Sequence, residues 1–236
     1  SASQVSRASA QLDEVLQKWR ERELGEVRYL YLDARYEKVR ENGMVLDLAV
    51  LIATGIRLTG EREVLGVSTS LSEHEQHWKA FLTSLKKRGL KGVKLIISDD
   101  HTGLSAARRE VFGGIPWQRC QFHLQQNAGA YVPKKAMKKE VAADIRAIFN
   151  ASDREKAEEY LQWAIEKYAQ SAPKLSQWME ENLAEGLTVL NFPLEHRRMI
   201  RTTNALERIN REIRRRTRVA SIFPNEASCL RLVTAL

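Results

Sequence analysis

The chain has 236 residues, 43% of them hydrophobic and 29% charged, which excludes a disordered polymer and allows one large domain or two modest ones. Its two cysteines, Cys120 and Cys229, supply no disulfide framework and favour a reducing compartment. A net charge of +8 points to a polyanionic partner, and the charge is uneven: residues 196–218 hold nine arginines against two glutamates.

In chain order, "SASQVSRASAQLDEVLQKWRERELG" reads as helix from its first residues, with Gly25 as the stop. "VRYLYLDARY" (27–36) alternates, setting Leu30, Leu32 and Ala34 on one face and Tyr29, Tyr31 and Asp33 on the other. "MVLDLAVLIATG" is apolar on both faces, as a central strand is. That apolar run is too short to span a bilayer and contains Asp47, and no signal peptide opens the chain, so the expectation is a cytoplasmic protein without a membrane partner. "REVLGVSTS" (62–70) follows a "TGER" turn and completes an antiparallel meander.

A helix is expected over 72–88, with Trp78, Phe81, Leu82 and Leu85 as its apolar stripe and Gly89 as its terminator. "GVKLIISDD" has the pattern of a buried strand, "HTGLSAARREVF" of a short helix and "PWQRCQFH" of a brief fifth strand. The order βββαβαβ predicts an α/β fold, a mixed five-stranded sheet flanked by helices. From Leu124 to about Leu190 the strand signal vanishes. Met137, Val141, Ile145 and Ile148 mark one helix, "SDRE" (152–155) is a capping box opening another, and Pro173 starts a third that Gly186 closes. Asn225 caps a last helix, "EASCLRLVTAL", with no terminator before Leu236. With no initiator methionine at the other end, the expectation is a fragment of a longer protein.

Three acids carry the chemical question. Asp33 ends a strand on the face opposite Leu30 and Leu32, Asp99 follows the apolar strand "VKLII", and Glu207 opens the arginine-rich segment. The carboxyl ends of buried strands are where α/β sheets place their chemistry. Three clustered carboxylates repel one another unless a cation joins them, and hard oxygen donors suit Mg²⁺ or Mn²⁺. Two such ions about 4 Å apart serve phosphodiester chemistry. Each acid has a plainer explanation. Asp33 can end its strand, Asp99 and Asp100 can cap the helix after them, and Asn204–Glu207 fits a capping box. Spacing does not choose between these. Asp47, an acid inside a strand, is either a reserve ligand candidate or an edge residue whose charge is satisfied. "HEQH" (74–77) lacks the spacing of a zinc-protease motif.

The segments "YLYLDARYEKVR", "REVLGV", "LKKRGLKGVKLIISDDHTGL", "WQRCQFH", "VPKK" and "TTNALERINREIRRRTR..SIFPNE" follow one another in an order that resembles the Mutator-type transposases of bacterial insertion sequences, over residues 1–236. The resemblance implies a ribonuclease H-like catalytic domain with an all-helical insertion before the last catalytic helix. The implied organisation is 1–25 as the remnant of a region linking an N-terminal DNA-binding domain, 26–123 as the first part of the core, 124–195 as the insertion and 196–236 as the final core helices. It implies an Asp-Asp-Glu triad of Asp33, Asp99 and Glu207 holding Mg²⁺, with Mn²⁺ able to substitute. Asp100 stands where the family commonly has a small residue. The implied activity is metal-dependent hydrolysis at transposon ends followed by strand transfer. The alternatives are a nuclease without strand transfer and a domesticated, non-catalytic DNA-binding protein. The partners implied are double-stranded DNA, both transposon ends and target, and a homodimer or larger assembly on DNA.

Cys120 and His123 match the family's cysteine–histidine motif. As a zinc site it is half complete, with no second pair at suitable spacing, so a structural role at the sheet edge or a place beside the substrate are both open. His101 falls within the second-Asp motif. Leu206, Ile209 and Ile213 form one helical face, leaving Arg208, Arg211, Arg214, Arg215, Arg216 and Arg218 to meet phosphates.

Overall fold

The computed structural model describes residues 2–71 and 74–236, with the side chains of Ala2, Ser3, Val5, Ser6, Asn204, Ala205, Glu207 and Arg208 outside that description. It is an α/β structure whose five described strands belong to one mixed sheet, with helices flanking them. The chain divides into two compact units. One comprises Ser1–Lys94, His101–Ile115 and Asn204–Leu236; the other comprises Leu95–Asp100 and Pro116–Thr203. Among the described residues no helix is long and apolar enough to cross a membrane.

In the first unit, helix α1 (Ala2–Glu21) is followed by the antiparallel strands β1 (Tyr29–Glu41), β2 (Met44–Ile56) and β3 (Arg62–Ser70). The helix ends four residues before Gly25, which sits at φ 72° in the connection to β1 rather than acting as the helix stop. β1 runs five residues past the expected end at Tyr36. Asn42 and Gly43 take positive φ (48° and 80°) and close a two-residue hairpin with Glu41 opposite Met44. Asn-Gly adopts that turn with little strain, and its twist matches the strands it joins. Tyr29 to Leu32 are all buried, so the alternation of "YLYLD" does not mark a solvated face; the strand starts covered on both sides. Asp47 pairs with Lys38 directly across the hairpin (2.7 Å), both half-exposed, so its charge is satisfied there.

Helix α2 (Glu75–Lys87) buries the stripe its sequence predicts, Trp78, Phe81, Leu82 and Leu85, and Gly89 at φ 84° ends it. Helix α3 (Thr102–Val111) packs against α2. Helices α9 (Asn204–Ala220) and α10 (Glu226–Ala235) return to this unit. Between them Phe223 is tied to the far part of β1, donating to Lys38 O and accepting from Arg40 N, each at 2.8 Å. α10 starts with a capping box between Asn225 and Ser228, as the position of Asn225 predicts.

In the second unit β4 (Leu95–Ser98) and β5 (Trp117–Arg119) run parallel, Ser98 opposite Arg119. Helices α4 (Gln121–Ala128), α5 (Lys138–Phe149), α6 (Arg154–Tyr168), α7 (Pro173–Asn182) and α8 (Leu194–Ile200) follow. The cap of α6 is Asp153, not Ser152: its carboxylate accepts from Lys156 N at 2.8 Å. Gly186 is a packing residue rather than a helix stop. α7 already ends at Asn182, and a Cβ on Gly186 would come within 2.7 Å of Leu124 Cδ1. The absence of a side chain brings its carbonyl to Gln118 Nε2 (2.8 Å) and Gln121 Nε2 (2.7 Å), both glutamines buried. Gln118 also accepts from Val189 N at 2.6 Å. Buried amides of this kind cost stability unless paired, and these are paired.

Candidate active site

Asp33 does not end its strand but lies within β1, opposite Ile52 of β2, because the strand continues to Glu41. Its Oδ1 accepts from the following amide, Ala34 N, at 2.9 Å, and its Oδ2 accepts from Asn210 Nδ2 at 2.6 Å. Asn210 belongs to α9, three positions after Glu207, and residues so spaced share a helix face. Arg35 Nη1 donates to the Asn210 backbone carbonyl at 2.6 Å, so main chain and side chain of this turn are both fastened to β1. Asn210 Oδ1 is buried and has no hydrogen-bond partner among the described residues. Asn210 was not among the residues singled out from sequence. Its one available signal was the three-residue step from Glu207.

Glu207 is on α9, but its side chain, like that of Arg208, lies outside the described residues. So does the Asn204 side chain on which the capping-box explanation depends; the helix already begins at Asn204. Farther along, Leu206, Ile213 and Thr217 are buried, while Arg211, Arg214, Arg215, Arg216 and Arg218 are exposed. Ile209, expected on the same apolar face, is half-buried. Arg215 forms an ion pair with Glu212 at 2.9 Å.

In the second unit Asp99 follows β4. Its Oδ1 accepts from Asp100 N at 2.9 Å and its Oδ2 lies 3.6 Å from His123 Nδ1. The two acids do not cap the next helix: α3 begins at Thr102, and His101 occupies the cap position with no capping bond from its side chain. Cys120 is the residue before α4, fully buried, and His123 is in the first turn of that helix. Thr203 donates to Cys120 Sγ through both N and Oγ1, each at 3.4 Å. Burial pushes the Cys120 thiol up, but hydrogen bonds from His123 and Thr203 together outweigh it and hold the thiol below its ordinary value. The motif therefore links the Asp99 segment to Thr203 through a buried sulfur. Among the described residues no three His, Cys, Asp or Glu side chains form a group able to hold a metal, so Cys120 and His123 gain no zinc partners; Glu207 stands outside that statement.

The family model described as Transposase, Mutator family, matches residues 1–236. The chain is 61% identical over 236 residues to the transposase for insertion sequence element IS406 of Burkholderia multivorans, covering all of this chain and 61% of that protein. It is 46% identical over 237 residues to the transposase for element ISRM5 of Rhizobium meliloti, covering 100% of this chain and 59% of that protein. Against the transposase for IS256 in transposon Tn4001 of Staphylococcus aureus the identity is 37% over 241 residues, with 100% and 61% covered. The chain thus spans about three fifths of the length of these relatives. Among solved structures, the simian T-cell lymphotropic virus intasome in complex with PP2A regulatory subunit B56 gamma matches 67% of this chain and 49% of that chain at 12% identity and a TM-score of 0.29, too slight a likeness to bear on the fold.

Proposed function

Because the chain belongs to the Mutator family of transposases, we propose that it is the catalytic core of an insertion-sequence transposase, with Asp33, Asp99 and Glu207 as its metal-holding acids. Water would cleave a phosphodiester at the element's end, releasing a 3′ hydroxyl, and that hydroxyl would attack a phosphodiester of target DNA, whose own 3′ oxygen leaves. Double-stranded DNA is the partner of this reading, a homodimer or larger assembly on DNA its working form, and the cytoplasm its compartment.

The observation that carries the reading is the hydrogen bond from Asn210 to Asp33. It fastens the turn of α9 that follows Glu207 to the strand bearing the first aspartate, so the backbone of the third acid's helix is held beside β1. The donor set fits Mg²⁺ or Mn²⁺: carboxylates are hard oxygen donors, and the buried Asn210 Oδ1, which has no hydrogen-bond partner among the described residues, adds an amide oxygen beside Asp33. Mg²⁺, when bound, would polarise the phosphate and lower the pKa of the attacking water. The protein's own contribution is orientation. Ala34 N and Asn210 Nδ2 occupy one lone pair on each oxygen of Asp33 and fix its plane. Asp100 N does the same for one oxygen of Asp99. The exposed arginines of α9 supply guanidinium forks for backbone phosphates.

The test is an assay joining pre-cut transposon ends to a plasmid with Mg²⁺ present. Joined product is expected from the wild-type chain and should fall more than about 100-fold in Asp33→Asn, Asp99→Asn and Glu207→Gln. Cleavage without joining would mean a nuclease. Equal, negligible Mn²⁺ binding in wild type and Asp33→Asn would mean a DNA-binding protein without catalysis.

A further inference from the structure

Arg119 is the last residue of β5, and its side chain is only 7% exposed. A guanidinium keeps its charge at any ordinary pH, so burying one demands acceptors around it. Its Nη1 donates to Asn182 Oδ1 and to Glu185 Oε2, both at 2.9 Å, and Asp100 Oδ2 stands 3.4 Å from the same atom. Asn182 ends α7 and Glu185 lies in the 3-10 turn directly after it, Leu183–Gly186. Asp100 is the residue immediately after Asp99.

The geometry places a buried cation where two other segments of its unit converge. The main chain of this short stretch is already bonded to the strand that delivers Asp99: Arg119 is opposite Ser98, and Cys120 N donates to Ser98 O at 2.8 Å. The Arg119 side chain then reaches past the end of β4 to the next turn, while His123, four residues on, approaches Asp99 itself. Asp100 and Glu185 remain 42% and 41% exposed, so neither acid requires the arginine to compensate its own burial. If packing were the sole task, an apolar side chain of similar volume would fill this site without the desolvation cost of a charge. What an apolar residue would lack is the charge that attracts Asp100 at 3.4 Å from one side and the two hydrogen bonds to residues 182 and 185 from the other.

We infer that Arg119 is a positioning residue for Asp99: it holds the Asp99–Asp100 turn in register with the end of α7, so the orientation of the metal-holding carboxylate depends on the helices of its unit. The inference rests on the reading of Asp99 as a metal ligand. A small residue at position 100 would offer Arg119 no carboxylate.

The test is Mn²⁺ affinity of the 236-residue chain, read by electron paramagnetic resonance, with thermal melting as the control for folding. Arg119→Gln is expected to remain folded and to bind Mn²⁺ about tenfold more weakly, the usual effect of losing a group that orients a ligand. Arg119→Lys, which keeps the charge but places its donors on a differently positioned ammonium, recovers part of that loss. Glu185→Gln, at an exposed position, shifts affinity in the same direction by less, and it decides the matter alone if Arg119→Gln does not fold. A merely structural role would lower the melting temperature and leave Mn²⁺ affinity untouched. Folded Arg119→Gln and Glu185→Gln variants with wild-type affinity would overturn the inference. Loss of Mn²⁺ in Asp99→Asn beside wild-type binding in Arg119→Gln would overturn the positioning role alone. Unchanged binding in Asp99→Asn would overturn the ligand reading and this inference with it.

Discussion

Asp33 and Asp99 lie in different compact units, yet each is supported in the same two-part way. One carboxylate oxygen accepts from the amide of the next residue, Ala34 or Asp100, and the other is approached by a side chain from a distant segment. The difference lies in the second part. Asp33 has a neutral amide from Asn210 at 2.6 Å, inside hydrogen-bond range; Asp99 has the His123 imidazole at 3.6 Å, outside it. Asp33 is therefore the more firmly held of the two, and its support comes from the helix that carries Glu207.

The sharpest way to break that comparison is to remove each support in turn. Asn210→Ala should weaken Mn²⁺ binding by roughly 10- to 100-fold, and His123→Ala by about tenfold or less, because a 3.6 Å contact orients less strongly than a 2.6 Å bond. Isothermal titration of both variants checks the ranking; an effect of His123→Ala equal to or larger than that of Asn210→Ala would reverse it.

A smaller effect is expected from the exposed arginines of α9. With about five phosphate contacts, the log–log slope of DNA affinity against salt should be roughly −4.5, and Arg214→Gln with Arg218→Gln should reduce it by roughly 1.8. Fluorescence anisotropy over a salt series measures both. A slope near zero in the wild type would remove the arginines from the DNA face.

The smallest effect sharpens the contrast from the structural side. Glu63 is an acid held by arginines, Arg22 Nη2 and Arg57 Nε each at 2.8 Å. Burial pushes its carboxyl up, but the hydrogen bonds from Arg22 and Arg57 outweigh this and leave it below the ordinary 4.5. A depressed carboxyl stabilises the fold fully above its unfolded value and loses that contribution as pH falls through the folded one. Melting temperature should therefore drop more steeply for the wild type than for Glu63→Gln between about pH 5 and pH 3. Parallel curves would show that the ion pairs contribute nothing to stability.

Much of the sheet was legible because apolar periodicity is a local property. β3 falls on "REVLGVSTS" and β2 on "MVLDLAVLIATG" plus one residue, and α2 buries the four residues its spacing selects. β1 extends beyond its alternating stretch to the Asn42-Gly43 turn, a local signal that marks the strand's end better than alternation does. Alternation separates Leu30 and Leu32 from Tyr29 and Tyr31 but cannot report that both faces are covered. Of the polar network around the acids almost nothing was legible. Asn210 meets Asp33 across 177 positions and Arg119 meets Glu185 across 66, and no periodic pattern encodes such pairings.

By itself the sequence determined the order of strands and helices, the apolar stripes that bury, the family, and which acids and arginines were worth weighing, since each follows from composition, short-range spacing or an ordered set of motifs. Tertiary structure decided that Asn210 reaches Asp33, that Asp47 is spent on Lys38, that the turn after β4 caps no helix, and that a buried guanidinium joins Asp100 to the end of α7. Hydrogen bonds are satisfied by whichever donor the fold brings within about 3 Å, and that proximity is a property of the packed chain rather than of any segment of it.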